Sequence, residues 1–184
     1  MILEIYMMIM EEYYYYRFPK SAAEIPVHFG DTDIEVKKVL PKMFVEGMTS
    51  MNLGKRGFLY HFVCTFLKRG FTRTFVEYDL CKNNKVISKA VLISKDAIYQ
   101  FLPPKGIHLG FCETVKDERG KGYYPALLKY ICRVNPTMDL HMIVKVNNTA
   151  SIRGIEKAGF KRYGGGIKNN KGHFIITTFY NDEK

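Results

Sequence analysis

Thr114–Tyr130 reads TVKDERGKGYYPALLKY, and the fold turns on this stretch. An apolar run, GIHLGF, precedes it, and an apolar segment with helical spacing follows. Between them Gly120 and Gly122 sit one residue apart, flanked by Arg119 and Lys121. That order describes a strand ending in a glycine turn that opens a helix. The first amides of a helix have no carbonyl one turn back to bond, and the helix dipole adds partial positive charge there. Gly120 and Gly122 carry no Cβ, so an anion can approach the backbone closely. Pro125 is tolerated in a first helical turn. Taken alone, the turn is either a phosphate cradle or a basic surface turn. Two nucleotide motifs are excluded. No Gly-Lys pair is followed by Ser or Thr, as a P-loop requires, and Pro125 stands where a dinucleotide fingerprint needs its third glycine.

Working outward, three β-rich runs precede the turn: Thr72–Leu80, Lys85–Ser94 and Ile107–Val115. The Asn83-Asn84 pair between the first two suits a hairpin, and Pro103–Gly106 breaks the chain before the third. A helix is expected from about Gly122 to Val134, then a strand over Leu140–Val146. A second helix follows, with Asn148 or Thr149 as N-cap and Gly159 as stop. FKRYGGG reads as a short strand and a glycine turn, and His173–Tyr180 as a last strand. Upstream, Asp31–Met51 has mixed helical spacing broken by Pro41, and Phe58–Lys68 is a buried helix or strand. The order β-β-β-α-β-α-β-β predicts an α/β sheet with a strand–turn–helix unit at its centre.

The composition bounds the function. The 184 residues, 47 % hydrophobic and 25 % charged, suit one globular domain and exclude a disordered chain. A net charge of +10 favours an anionic partner or serves solubility. The basic residues are spread along the chain with no helix-turn-helix, RNP or zinc-finger pattern, which argues against a nucleic-acid module. Cys64, Cys81, Cys112 and Cys132 are too far apart for a CxxC pair or zinc-ligand spacing, so no metal is expected and the chain reads as reduced and cytoplasmic. The apolar N-terminus lacks a basic leader region and falls short of the ~20 residues a membrane span needs. Tyr13–Tyr16 is a buried strand or an exposed edge; this run and the last strand are the candidate homodimer contacts.

The opening turn and the segment VNNTASIRGIEKAGFKRYG (Val146–Gly164) together resemble the GNAT superfamily of acyl-CoA-dependent N-acetyltransferases. Asp117–Gly122 is similar to that family's pyrophosphate motif: Gln or Arg, two residues, Gly, one residue, then Gly or Ala. Asn148, Ser151, Gly159 and Phe160 are similar to its second motif: Asn, two residues, Ala or Ser, then a later Gly-Phe. The resemblance spans roughly residues 72–180. It implies a GNAT-like α/β fold: a mixed central sheet with an antiparallel N-terminal meander, a splayed parallel pair and flanking helices. It implies one domain over 1–184, with the CoA-binding core at about 72–180 and a variable, substrate-facing part at 1–71. Acetyl-CoA is the implied cosubstrate, and a primary amine, on a small molecule or a protein, the acceptor.

Carried onto this sequence, the resemblance assigns Cys112, Glu113, Thr114 and Val115 to pantetheine and thioester contacts. Backbone N–H groups of Arg119, Gly120, Lys121, Gly122, Tyr123 and Tyr124 would hold the pyrophosphate, and Asn148 the other side of the CoA arm. Two positions depart from the family. Asp117 stands where Gln or Arg opens the first motif, and Ile155 stands where many members carry the Tyr that protonates the thiolate. Ser151, Tyr163 or water is left for that role, and the Ser151 hydroxyl also suits a helix-start hydrogen bond. Glu113 is the candidate base, with Glu77 as an alternative; His108 and His141, on apolar strands, read first as core histidines. A GNAT-like CoA-binding protein without catalysis is the alternative function.

Overall fold

Four consecutive tyrosines can be buried only if both faces of their strand are covered, and the fold supplies both covers. The computed structural model describes residues 11–19, 29, 33–39, 75–94, 99 and 101–180. Strand β1 (Glu12–Arg17) has antiparallel neighbours on both sides, so the tyrosine run is an interior strand and not an edge. Tyr16 packs into the cluster on one face of the sheet, Tyr15 into the cluster on the other, and neither is exposed at all (0 %).

The remaining strands follow in chain order. β2 (Ile34–Val39), β3 (Phe75–Lys82), β4 (Lys85–Ser94) and β5 (Gly106–Thr114) make an antiparallel meander. Asn83 and Asn84 turn its hairpin with φ of 50° and 60°, the left-handed pair that a two-residue turn of this kind demands. Then come α1 (Tyr123–Val134), β6 (Asp139–Lys145), α2 (Thr149–Lys157), β7 (Lys161–Lys168) and β8 (Phe174–Phe179). The eight strands form one sheet in the order β2-β3-β4-β5-β6-β1-β7-β8. β5 and β6 are parallel, which makes the sheet mixed, as expected.

Two expectations change. Residues 34–39 alternate with period two, Ile34 and Val36 against the core and Glu35 and Lys37 outward, and so form a strand rather than a helix. Gly164, Gly165 and Gly166 lie inside β7 rather than in a turn. A Cβ on Gly164 would sit 2.8 Å from the Thr178 carbonyl oxygen of β8, so this strand pair closes only over glycine. Phe58–Lys68 and the segment after Pro41 fall outside the described residues.

Both helices cover one face. Leu127, Leu128 and Ile131 of α1 and Ile155 of α2 pack with Tyr78, Leu80, Leu92, Leu109, Leu140 and Met142. Truncating any one of these leucines to Ala should cost about 2–5 kcal/mol. The opposite face carries a smaller cluster built from Tyr13, Tyr15, Val91, Ile93, Tyr99, Leu102 and Phe174.

Candidate active site

The register of β5 and β6 is three pairs long, from Gly106–Asp139 to His108–His141. Past that rung β5 stays paired to β4 as far as Thr114, and β6 stays paired to β1 as far as Lys145. Each strand remains in the sheet while the two part company. A bulge between Lys89 and Val91, with φ of 48° at Phe111, bends β5 where the gap begins. The C-terminal ends of both strands open into the gap. α1 follows β5 and α2 follows β6, so two helix N-termini stand at its mouth.

The glycine turn explains how β5 reaches α1. A short 3-10 turn at Lys116–Glu118 leads into Gly120 and Gly122, with φ of 78° and 85°. These left-handed values favour glycine, and a Cβ at either position would meet nothing within 4 Å. The turn is thus backbone-lined and open in front. The first helical bond runs from the Ala126 N–H to the Gly122 carbonyl; amides ahead of it have no helical acceptor. Arg119 Nε donates to the Thr114 carbonyl at 3.0 Å, and Lys121 pairs with Glu118 at 3.0 Å. Both cations brace the turn from outside.

Across the gap, Asn148 caps α2: its Oδ1 accepts from the Ser151 N–H at 3.2 Å. The Ser151 hydroxyl is half-buried and has no hydrogen-bond partner among the described residues. Ile155 is core, 1 % exposed. Tyr123 is buried, and its hydroxyl accepts from Lys82 Nζ at 3.2 Å. Val115 is exposed, and the Thr114 hydroxyl meets Ser88 Oγ at 2.9 Å. The Glu113 side chain is 58 % exposed and pairs with Lys89 at 3.4 Å, a solvated ion pair rather than an enclosed base.

Three pairings went unread in the sequence, although Glu77, His108, His141 and Tyr163 were each named singly. The side chain of Tyr124, expected to serve through its amide, lies beside the Cys112 thiol on the parting part of β5, and that thiol donates to the Gly110 carbonyl at 3.6 Å. Its ring lies on Gly154 of α2, where a Cβ would come within 2.5 Å of Tyr124 Cε1. Burial pushes the Cys112 thiol up to about 12, and burial with the nearby thiol pushes the Tyr124 phenol well above 10. Second, Glu77 and Asp79 of β3 form a buried carboxyl pair on the face opposite the helices. Burial first, then the Asp79 charge, raises Glu77 to about 7, and Asp79 Oδ1 has no hydrogen-bond partner among the described residues. The i,i+2 spacing in FVEYDL was the available signal. Third, the last rung before the gap is a histidine pair. His141 Nδ1 lies 3.2 Å from the Tyr163 hydroxyl and Nε2 3.2 Å from Asp139 Oδ2. Burial outweighs the Asp139 carboxylate and lowers the His141 pKa. Tyr163 is thereby engaged on the face away from α1 and α2.

This arrangement, a sheet that splits between parallel strands with helices starting at the split, is the fold of the GNAT acetyltransferases. A GNAT-family acetyltransferase from Colwellia psychrerythraea superposes with a TM-score of 0.56 at 16 % identity, covering 85 % of this chain and 54 % of that one. A tandem GNAT protein from the clavulanic acid biosynthesis pathway gives 0.59 at 12 % identity, covering 86 % and 52 %. A GCN5-related N-acetyltransferase from Sphaerobacter thermophilus gives 0.53 at 12 % identity, covering 90 % and 54 %. The chain spans a little over half the length of each. No family model matches the sequence, and no curated protein matches it.

Proposed function

We propose that this protein is an N-acetyltransferase, transferring the acetyl group of acetyl-CoA to a primary amine by direct attack in a ternary complex. The observation that carries the reading is the β5–β6 gap with two helix N-termini at its mouth. A pantetheine arm has amides of its own and can continue the ladder that β5 leaves open between Leu109 and Val115. The pyrophosphate fits the Gly120–Gly122 turn, because nothing stands within 4 Å of where a Cβ would be. Backbone N–H groups from Arg119 to Tyr124 hold it there, and Asn148 borders the arm on the α2 side. The net charge of +10 draws the polyanion in. The charge is spread along one domain that acts in the cytoplasm; Cys81, Cys112 and Cys132 are free thiols. Among the described residues no helix is long and apolar enough to cross a membrane.

When bound, acetyl-CoA supplies an activated acyl carbon with a thiol leaving group. The chain's part is to position, exclude water and move protons. Tyr124 is better placed than Ser151 to donate a hydrogen bond to the departing sulfur. It lies beside a sulfur, that of Cys112, and its raised pKa keeps it protonated while charge develops. Tyr124→Phe should therefore lower kcat with little change in acetyl-CoA affinity. A second reading, CoA binding without catalysis, is favoured by Ile155 lying in the core where the family's Tyr would be. Release of free thiol from acetyl-CoA across an amine panel separates the two; stabilisation by acetyl-CoA without thiol release selects the second.

A further inference from the structure

We propose that Phe111 limits the acyl group of the donor to a short chain; this rests on the acetyltransferase reading. Its backbone singles it out first. Its φ is 48°, in the left-handed region, where a bulky side chain is a genuine outlier. Phe111 and Cys112 together oppose Ala90 at the β4–β5 bulge, and a left-handed first residue in such a bulge is ordinarily glycine. A glycine stands one residue earlier, but Gly110 is taken up beneath the His108 ring, where a Cβ would lie 2.9 Å from Cδ2. A strained residue of this kind persists where the placing of its side chain serves a site. Core packing does not account for the ring. Phe111 is 41 % exposed and belongs to neither buried cluster among the described residues.

Its position along β5 assigns the role. The gap is closed at the His108–His141 rung and open toward the Gly120–Gly122 turn. A donor whose pyrophosphate sits at that turn runs its arm along β5 toward the rung, so its acyl group comes to rest at the closed end. Phe111 is the third residue beyond the rung. Its neighbours on the parting stretch are otherwise engaged. Leu109 is core, and Gly110 has no side chain. Glu113 pairs with Lys89, and the Thr114 hydroxyl meets Ser88. Phe111 is thus the large apolar side chain at the closed end that the core does not claim. An acetyl methyl can rest against the ring, whereas each further methylene has to displace it.

The test reads binding, so it needs no acceptor. Thermal unfolding compares wild type, Phe111→Gly and Phe111→Tyr with CoA, acetyl-CoA and hexanoyl-CoA. Acetyl-CoA should stabilise the wild type clearly and hexanoyl-CoA much less. Phe111→Gly suits the left-handed backbone and should melt close to the wild type without ligand. Its affinity for hexanoyl-CoA relative to acetyl-CoA should rise about 10-fold or more. Phe111→Tyr keeps the ring and should keep the wild-type preference. If no CoA species stabilises the wild type, the acetyltransferase reading falls and takes the proposal with it. If the wild type binds acetyl-CoA and hexanoyl-CoA equally, or Phe111→Gly keeps the wild-type ratio, the proposal alone is overturned. A Phe111→Gly protein that melts far below the wild type marks the ring as a structural part of the fold and overturns it as well.

Discussion

Replacing Glu77 by Gln should make the protein more stable above neutral pH and flatten its stability profile between pH 5 and 8. Glu77 is 4 % exposed and lies beside Asp79; burial first, then the Asp79 charge, pushes its carboxyl up from the ordinary 4.5 to about 7. A carboxyl whose pKa is raised by folding binds its proton more tightly in the native state. Its stabilising contribution is complete below pH 4.5 and is lost as pH rises through about 7. At about 1.4 kcal/mol per pH unit, that gap corresponds to roughly 3 kcal/mol, with the opposing pull of the Lys89 charge already included. His141, whose pKa is lowered, works in the opposite sense in the same window, so the informative quantity is the difference between variant and wild type. Urea unfolding at pH 5, 6, 7 and 8 measures it. The variant should overtake the wild type as pH rises, by about 2–3 kcal/mol at pH 8. Parallel profiles would refute the argument that burial and Asp79 hold this proton.

Other consequences follow from single contacts. Gly122→Val forces a branched residue into φ of 85° at the mouth of the gap, and should abolish acetyl-CoA binding while costing about 1–3 kcal/mol of stability. Gly154→Leu collides with the Tyr124 ring and should destabilise by about 1–3 kcal/mol, with a red shift or quench of tyrosine fluorescence as the check on ring displacement. Asn148→Ala removes the α2 cap at a cost of about 1 kcal/mol, and Asn148→Ser should recover most of it in thermal unfolding. Lys121→Ala breaks only an exposed pair with Glu118 and should change stability by less than about 1 kcal/mol.

The sequence was most legible where local chemistry dictates backbone. Gly120, Gly122, the Asn83-Asn84 hairpin and the Asn148 cap each act within a few residues, and each stands where its spacing placed it. What depends on distant strands was hidden. Tyr13–Tyr16 reads the same whether the strand is an edge or interior; only insertion between β6 and β7 decides it. Gly164–Gly166 look like a turn until β8 is seen to approach too closely for any Cβ. At the candidate site the open glycine turn was readable because it is contiguous. The placing of Tyr124 against Cys112 and Gly154, and of His108 against His141, was not, because each joins separate elements.

Binding of acetyl-CoA in the β5–β6 gap and at the Gly120–Gly122 turn is open to direct measurement. Thermal unfolding with acetyl-CoA, CoA or ATP tests it most directly. At ~100 times its Kd, acetyl-CoA should add about 2.7 kcal/mol of stability, CoA should act similarly, and ATP should not. The gain should vanish in Gly122→Val. No stabilisation by either CoA species, or an undiminished gain in that variant, would contradict the account.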